Sequence, residues 1–225
     1  MMSNLLLTAT FSIFSLFAIS CNNASDSNTE NYEPIITDVP DAQLKNVDTA
    51  TFAGGCFWCT EASFERIKGV KKVVSGYSGG EEKDPKYSQV SAGRTGHAEA
   101  VQIYYDPQEI SFEELLQVFF VAHDPTQLNR QGPDVGEQYR SAIFYHNEAQ
   151  KAAAQNFIDQ QSRANIFKAP IVTELSAYTG FYEAEDYHQD YCSRNPNDRY
   201  IKNVSKPKVE KVEKEFKDKL KKEYK

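Results

Sequence analysis

The chain predicts an α+β fold, a two-layer domain in which helices cover a mixed β-sheet. Strand-like and helix-like runs interleave from about residue 49 onward, which requires helices packed on a sheet. Two successive strand runs, residues 70–77 and 96–105, have no helical pattern between them, so the sheet is not assembled from parallel crossover units alone. There is no glycine-rich phosphate loop after a strand, no dinucleotide fingerprint and no internal repeat.

Length and composition agree with one folded domain. The chain has 225 residues, 40% of them hydrophobic, enough for one sizeable core. A net charge of -7 provides no basic field for nucleic acid, which is excluded as a partner.

The first strand is short, Thr51-Phe52-Ala53, and runs through Gly54-Gly55 into a helix with Ala62, Phe64 and Ile67 as its apolar positions. Residues 70–77 form the next strand, and a glycine- and lysine-containing loop over 81–96 carries Pro85, Tyr87 and Gly93. In the strand at 96–105, alternation places Glu99 with Val101, Ile103 and Tyr105 on one face, and Ala98, Ala100 and Gln102 on the other. A carboxyl on the more apolar face of a strand demands an explanation. Ser111 and Glu114 make a capping box for a helix whose stripe is Leu115, Leu116, Phe119 and Phe120, halted by Pro125. The irregular segment 124–139 is long enough to suggest function. A strand at 141–145, a helix capped by Asn147 and running to about Arg163, a strand at 171–178 and a short helix at 183–192 complete the domain. That last helix is stopped by Asn195-Pro196.

Four divisions follow. Residues 1–20 read as a signal peptide, with an apolar run at 5–19 too short to span a bilayer comfortably. It ends in Ala18-Ile19-Ser20-Cys21, which resembles a bacterial lipoprotein signal with Cys21 as the lipid-bearing residue. Residues 21–48 are an acidic, polar tether without periodicity. The domain occupies 49–205. The lysine-rich tail 206–225, with Val209, Val212, Phe216 and Leu220 at helical spacing, reads as a surface helix. An exported, envelope-located protein with a membrane anchor is the expectation.

Four cysteines, Cys21, Cys56, Cys59 and Cys192, are too few and too unevenly spaced for a disulfide scaffold. Cys56 stands at or just before a helix N-terminus, where free backbone N–H groups and the helix dipole favour a thiolate. Cys59 lies within disulfide reach, and Phe57 and Trp58 supply an apolar wall. Redox chemistry on a small apolar group fits this setting. A zinc-stabilised binding module is the alternative, since Cys56, Cys59, His188 and Cys192 number four ligands. Against it, Phe57-Trp58 is bulky where a zinc turn carries small or polar residues.

Gly55-Cys56-Phe57-Trp58 resembles the signature of A-type peptide methionine sulfoxide reductases. So do Ser75-Gly76-Tyr77-Ser78-Gly79-Gly80, Pro85-Lys86-Tyr87, Thr95-Gly96-His97-Ala98-Glu99, His123-Asp124-Pro125-Thr126, Gln138-Tyr139-Arg140-Ser141 and Glu185-Asp186-Tyr187-His188-Gln189, in the family's order. The resemblance implies a ferredoxin-like core and reduction of methionine-S-sulfoxide, free or in proteins, for repair under oxidative stress. It implies Cys56 as nucleophile, a protonated Glu99 as proton donor, and Tyr87 and Tyr139 as hydroxyl donors to the sulfoxide oxygen. Asp134 matches an acidic residue beside them, and Phe57 and Trp58 would hold the S-methyl group. His97 and His188 read as structural hydrogen-bonders. No cofactor is expected beyond an external thioredoxin-type dithiol. Many relatives have Gly where this chain has Cys59 and place their resolving cysteines in a glycine-rich tail. Here that tail is missing, so Cys59 is the expected resolving cysteine, with Cys192 as a second candidate.

Overall fold

The computed structural model describes residues 46–225; the segment read as signal peptide and tether, Cys21 included, lies outside them except for 46–48, of which Asp48 already opens the first strand. Strands β1 (Asp48–Gly54), β2 (Val70–Ser78), β3 (Ala98–Tyr105) and β6 (Ser141–Tyr145) form the centre of a six-stranded sheet, with β7 (Glu174–Ala177) and β8 (Phe181–Glu183) at its edges. The order is β7-β6-β1-β3-β2-β8. The β6–β7 pair is parallel and the others are antiparallel, so the sheet is mixed, as expected. With helices α1 (Phe57–Glu65) and α3 (Phe112–Ala122), the succession β1-α1-β2-β3-α3-β6 in the order β6-β1-β3-β2 is the ferredoxin-like arrangement.

Local chemistry accounts for the long helices. Ser111 Oγ accepts from the Glu114 amide at 3.2 Å, and the Glu114 carboxylate accepts from the Ser111 amide at 2.9 Å, so the capping box closes at the head of α3. Asn147 Oδ1 accepts from the Gln150 amide at 2.9 Å and caps α4 (Glu148–Arg163). The alternation of β3 holds. Val101, Ile103 and Tyr105 enter the main core with Phe52, Phe64, Leu115, Leu116 and Phe119, and Phe52 stacks on Phe119 at 4.8 Å. Ala98 and Ala100 face a smaller cluster with Ala53, Ala142 and Phe144.

The C-terminal third differs from its sequence reading. The strand expected over 171–178 is the four residues of β7. In place of one helix over 183–192 the chain forms β8, a 3₁₀ turn (Asp186–His188) and the one-turn helix α5 (Tyr191–Arg194). β8 lies against β2 because Gly76 lets it approach: a Cβ there would sit 2.3 Å from the Phe181 ring and 2.4 Å from the Tyr182 carbonyl. The tail is part of the domain. A π-helical turn (Ile201–Ser205) leads into α6 (Lys206–Glu215), which packs on α1 and α3 and buries Val209 and Val212. Leu220 bridges to Ile67 beyond it. The remaining short elements are a one-turn helix α2 (Tyr87–Val90), the hairpin β4 (Arg130–Gln131) and β5 (Asp134–Val135), and a 3₁₀ turn (Glu137–Tyr139) inside the long loop. Among the described residues, no helix is long and apolar enough to cross a membrane.

Candidate active site

β1 ends in Gly54-Gly55 and delivers Cys56 as the N-cap of α1. Gly55 has φ +89°, a left-handed turn in which a Cβ would meet the Gln131 side chain at 2.4 Å. Gln131 is itself fixed, accepting from the Asp124 amide and donating to the Asp124 carbonyl. The turn thus leaves a Cβ-free approach for the hairpin and starts the helix at the sulfur.

Glu99 lies under that helix start. Its Oε2 accepts from the Phe57 amide at 3.1 Å, one of the orphan donors of the first turn. The side chain is 2% exposed, and its Cα is paired with that of Tyr77 on β2. Burial raises the carboxyl to about 8; the Phe57 amide opposes this, and the charges of Asp134 and Cys59 add to it. Glu99 is therefore a neutral acid at pH 7, with one oxygen engaged by the amide and the other left for a proton.

Tyr87, at the start of α2, and Tyr139, in the 3₁₀ turn after β5, both lie within the electrostatic reach of Glu99. Burial, the Glu99 charge and the Cys56 sulfur push the Tyr87 phenol up to about 12, and burial, Glu99 and Tyr87 raise that of Tyr139. Both remain hydroxyl donors. Glu185 holds α2 in place, accepting from the Tyr87 amide at 3.1 Å and from the Tyr77 hydroxyl at 2.9 Å.

The apolar wall is built on Phe57. Its ring lies 6.3 Å from Tyr87, nearly parallel to it, and 5.0 Å from His188. Trp58 stacks on Tyr191 at 3.9 Å and donates Nε1–H to His188 Nδ1 at 3.2 Å. An indole only donates, so that bond leaves the His188 proton on Nε2, and burial lowers the ring's pKa. His97 is likewise structural: Nδ1 accepts from the Gly80 amide and Nε2 donates to the Glu82 carbonyl.

Asp134 enters through a residue that sequence reasoning missed. The Tyr200 hydroxyl donates to Asp134 Oδ2 at 2.5 Å and also contacts the Cys56 sulfur. Tyr200 is one of 13 tyrosines and follows Asp134 by 66 positions. Its only local signal is its place just past the Asn195-Pro196 stop.

The charge on the cysteine pair is distributed differently from the sequence reading. Burial, then the neighbouring Cys59 sulfur and Glu99, push the Cys56 thiol well above its ordinary value. Cys59 is drawn down to about 7, first by the hydrogen bond from Cys56, against its own burial. The helix N-terminus is where it was expected, but Cys56 is 5% exposed beside an acid and an apolar wall. Burial thus works against a thiolate at Cys56, and the pair's contact favours one at Cys59. Cys59 also hydrogen-bonds Ser205 Oγ at 3.2 Å. Cys192 turns its thiol to the Trp58 carbonyl at 3.2 Å, and burial pushes its pKa up. All three are free thiols.

The zinc alternative does not fit this arrangement. His188 Nδ1 is engaged by Trp58, and among the described residues no group of three or more His, Cys, Asp or Glu side chains is placed to hold a metal ion.

A sulfur nucleophile, a second thiol in contact with it, a neutral carboxylic acid and two phenols around an aromatic cradle define a thiol-based oxidoreductase. The family model of peptide methionine sulfoxide reductase matches residues 48–220. A peptide methionine sulfoxide reductase of Rhodopirellula baltica is 56% identical over 174 residues, 77% of this chain and 90% of that protein. One from Haloquadratum walsbyi is 53% identical over 173 residues, 77% and 98% respectively. Among solved structures, reduced Mxr1 from Saccharomyces cerevisiae aligns with a TM-score of 0.63 at 36% identity, covering 68% of this chain and 88% of that one. Methionine sulfoxide reductase A of Corynebacterium diphtheriae aligns with a TM-score of 0.63 at 35% identity, covering 68% and 77%. The chain belongs to the peptide methionine sulfoxide reductase family.

Proposed function

We propose that this enzyme reduces methionine-S-sulfoxide, free or in proteins and peptides, through a Cys56 sulfenic acid and a Cys56–Cys59 disulfide. The observation that carries the reading is Glu99, a buried acid tied to the first amide of α1 and protonated at neutral pH. The substrate methyl group packs against Phe57 and Trp58 while its oxygen faces Glu99, Tyr87 and Tyr139. Separate sub-sites for methyl and oxygen select one epimer.

The Cys56 sulfur attacks the sulfoxide sulfur, and its proton passes to the Cys59 sulfur. Glu99 protonates the oxygen, and the hydroxyl passes to the Cys56 sulfur as the substrate's sulfur–oxygen bond and the transient sulfur–sulfur bond both break, leaving methionine and a sulfenic acid on Cys56. Methionine leaves reduced by two electrons, and Cys56 is oxidised by two. The Cys59 sulfur then attacks Cys56, a sulfur–sulfur bond forms, and the hydroxyl departs with a proton as water. A thioredoxin-type dithiol supplies the two electrons and two protons that restore both thiols. Glu99 regains its proton from solvent.

For location, we propose export and lipid attachment at Cys21, on the strength of the apolar run at 5–19 and the small residues before that cysteine. The reductant is then a thioredoxin-like protein on the same side of the membrane. Mass measurement of the mature N-terminus tests this, since an unmodified Cys21 removes the anchor. For the chemistry, the two epimers of free methionine sulfoxide are offered separately with a dithiol. Loss of the S epimer alone, abolished in Cys56→Ser, is expected; turnover by Cys56→Ser would overturn the reading.

A further inference from the structure

The lysine-rich tail carries a feature that a solvated surface helix does not need. Lys208, in the first turn of α6, has its Nζ buried and without a hydrogen-bond partner among the described residues. An isolated ammonium out of water is costly unless a negative charge lies close by. Ser205, three positions earlier in the continuous helical run and so on the same face, is 3.2 Å from the Cys59 sulfur. Lys208 follows it one turn on, in the helix that packs on α1, and its charge acts on Cys59.

We propose that Lys208 is a positioning residue for regeneration: its ammonium holds the Cys59 sulfur ready as the anion that attacks the Cys56 sulfenic acid. This rests on the reading of Cys59 as the resolving cysteine. The other titratable groups facing Cys59 are Cys56 from the head of α1, Glu99 from β3, Asp134 from β5, Tyr200 and Cys192, all of them neutral or acidic. His123, at the C-cap of α3, also feels the Lys208 charge, and burial keeps it neutral with a pKa of about 4. Lys208 brings the positive charge among these described neighbours. The step it assists balances within the pair: the sulfur–sulfur bond forms, the Cys56 sulfur–oxygen bond breaks, and hydroxide leaves as water with the proton that Cys59 gives up.

The test titrates Cys59 by thiolate ultraviolet absorbance in full chains whose Cys21, Cys56 and Cys192 are replaced by serine; the serine hydroxyl at position 56 remains a donor to Cys59. Lys208→Met is expected to raise the midpoint by about one unit, leaving roughly fivefold less thiolate at pH 7, while Lys208→Arg keeps the parent midpoint. With native cysteines and methionine-S-sulfoxide, Lys208→Met should still release one methionine per chain, but its sulfenic acid, trapped with dimedone, should persist about fivefold longer at pH 7. Lys208→Gln serves if the methionine variant does not fold. Unchanged titration and sulfenic acid lifetime in the charge-removing variant overturn the proposal. A parent that releases no methionine fails the reductase reading instead, and the titration then still decides on Lys208.

Discussion

Glu99→Gln separates the acid from its shape. Glutamine keeps an oxygen for the Phe57 amide and occupies nearly the same volume, but it has no ionisable proton. In the folded chain the Glu99 carboxyl ionises at about pH 8, against about 4.3 when unfolded. Between those values the folded state retains a proton that the unfolded chain has lost. Stability from this group is complete below about pH 4, declines through the window and is spent above about pH 8. At pH 7 the accumulated cost is about 2.7 units at 1.36 kcal/mol each, or about 3–4 kcal/mol. Glu61 and Glu65, also raised first by burial, weaken both proteins alike and cancel in the difference. Glu99→Gln should therefore gain on the parent by about 3 kcal/mol between pH 4 and pH 7 in urea titrations. It should lose about 10²–10⁴-fold in the rate of methionine release at neutral pH, and with it the decline that the parent shows above about pH 8. A variant that reduces sulfoxide at the parent rate, or whose stability advantage is the same at both pH values, would falsify the assignment of Glu99 as a buried neutral acid.

The other expectations concern different parts of the site. Cys59→Ser should release one methionine per chain at an undiminished yield and then stall when a dithiol protein is the only reductant; sustained turnover would remove Cys59 from regeneration. Tyr200→Phe, which strips a hydroxyl from both Asp134 and Cys56, should fold, lose about 1–3 kcal/mol in denaturant unfolding and slow methionine release about tenfold. Gly55→Ala should cost about 1–3 kcal/mol, read as a lower melting temperature, because it places a Cβ at positive φ against Gln131.

What the sequence made legible was local. The capping box at Ser111, the Asn147 cap and the two-residue alternation of β3 each depend on neighbours within four positions, and each appears in the structure. The same alternation aimed Glu99 at the helix layer, so the acid was readable before its surroundings were. Elements made by distant contacts were not readable. β8 is three residues long and exists because Gly76, more than a hundred positions earlier, leaves room for Phe181. Tyr200 joins the site through Asp134 with no pattern in its own segment. The α6 stripe of Val209 and Val212 was visible, but a periodic stripe says that a face is covered and not by what.

The cysteine pair shows burial competing with local electrostatics. A helix N-terminus stabilises an anion by about 0.3–1 kcal/mol at an exposed position. Taking a thiolate out of water opposes it with a larger cost, and at Cys56 burial is the leading influence. Enclosing the nucleophile is nonetheless what gives the substrate methyl group its apolar seat, so the two requirements conflict at one atom. The second sulfur, one helical turn on, eases the conflict, since it is drawn down to about 7 while Cys56 is raised. Cys59 is in contact with the Ser205 hydroxyl, and the Lys208 charge also draws it down. The same sulfur that takes the proton in the first step then becomes the attacking group in the second. On this account the Cys-x-x-Cys spacing serves activation as well as disulfide formation, because residues at the N-cap and the third helical position meet on one side of the first turn.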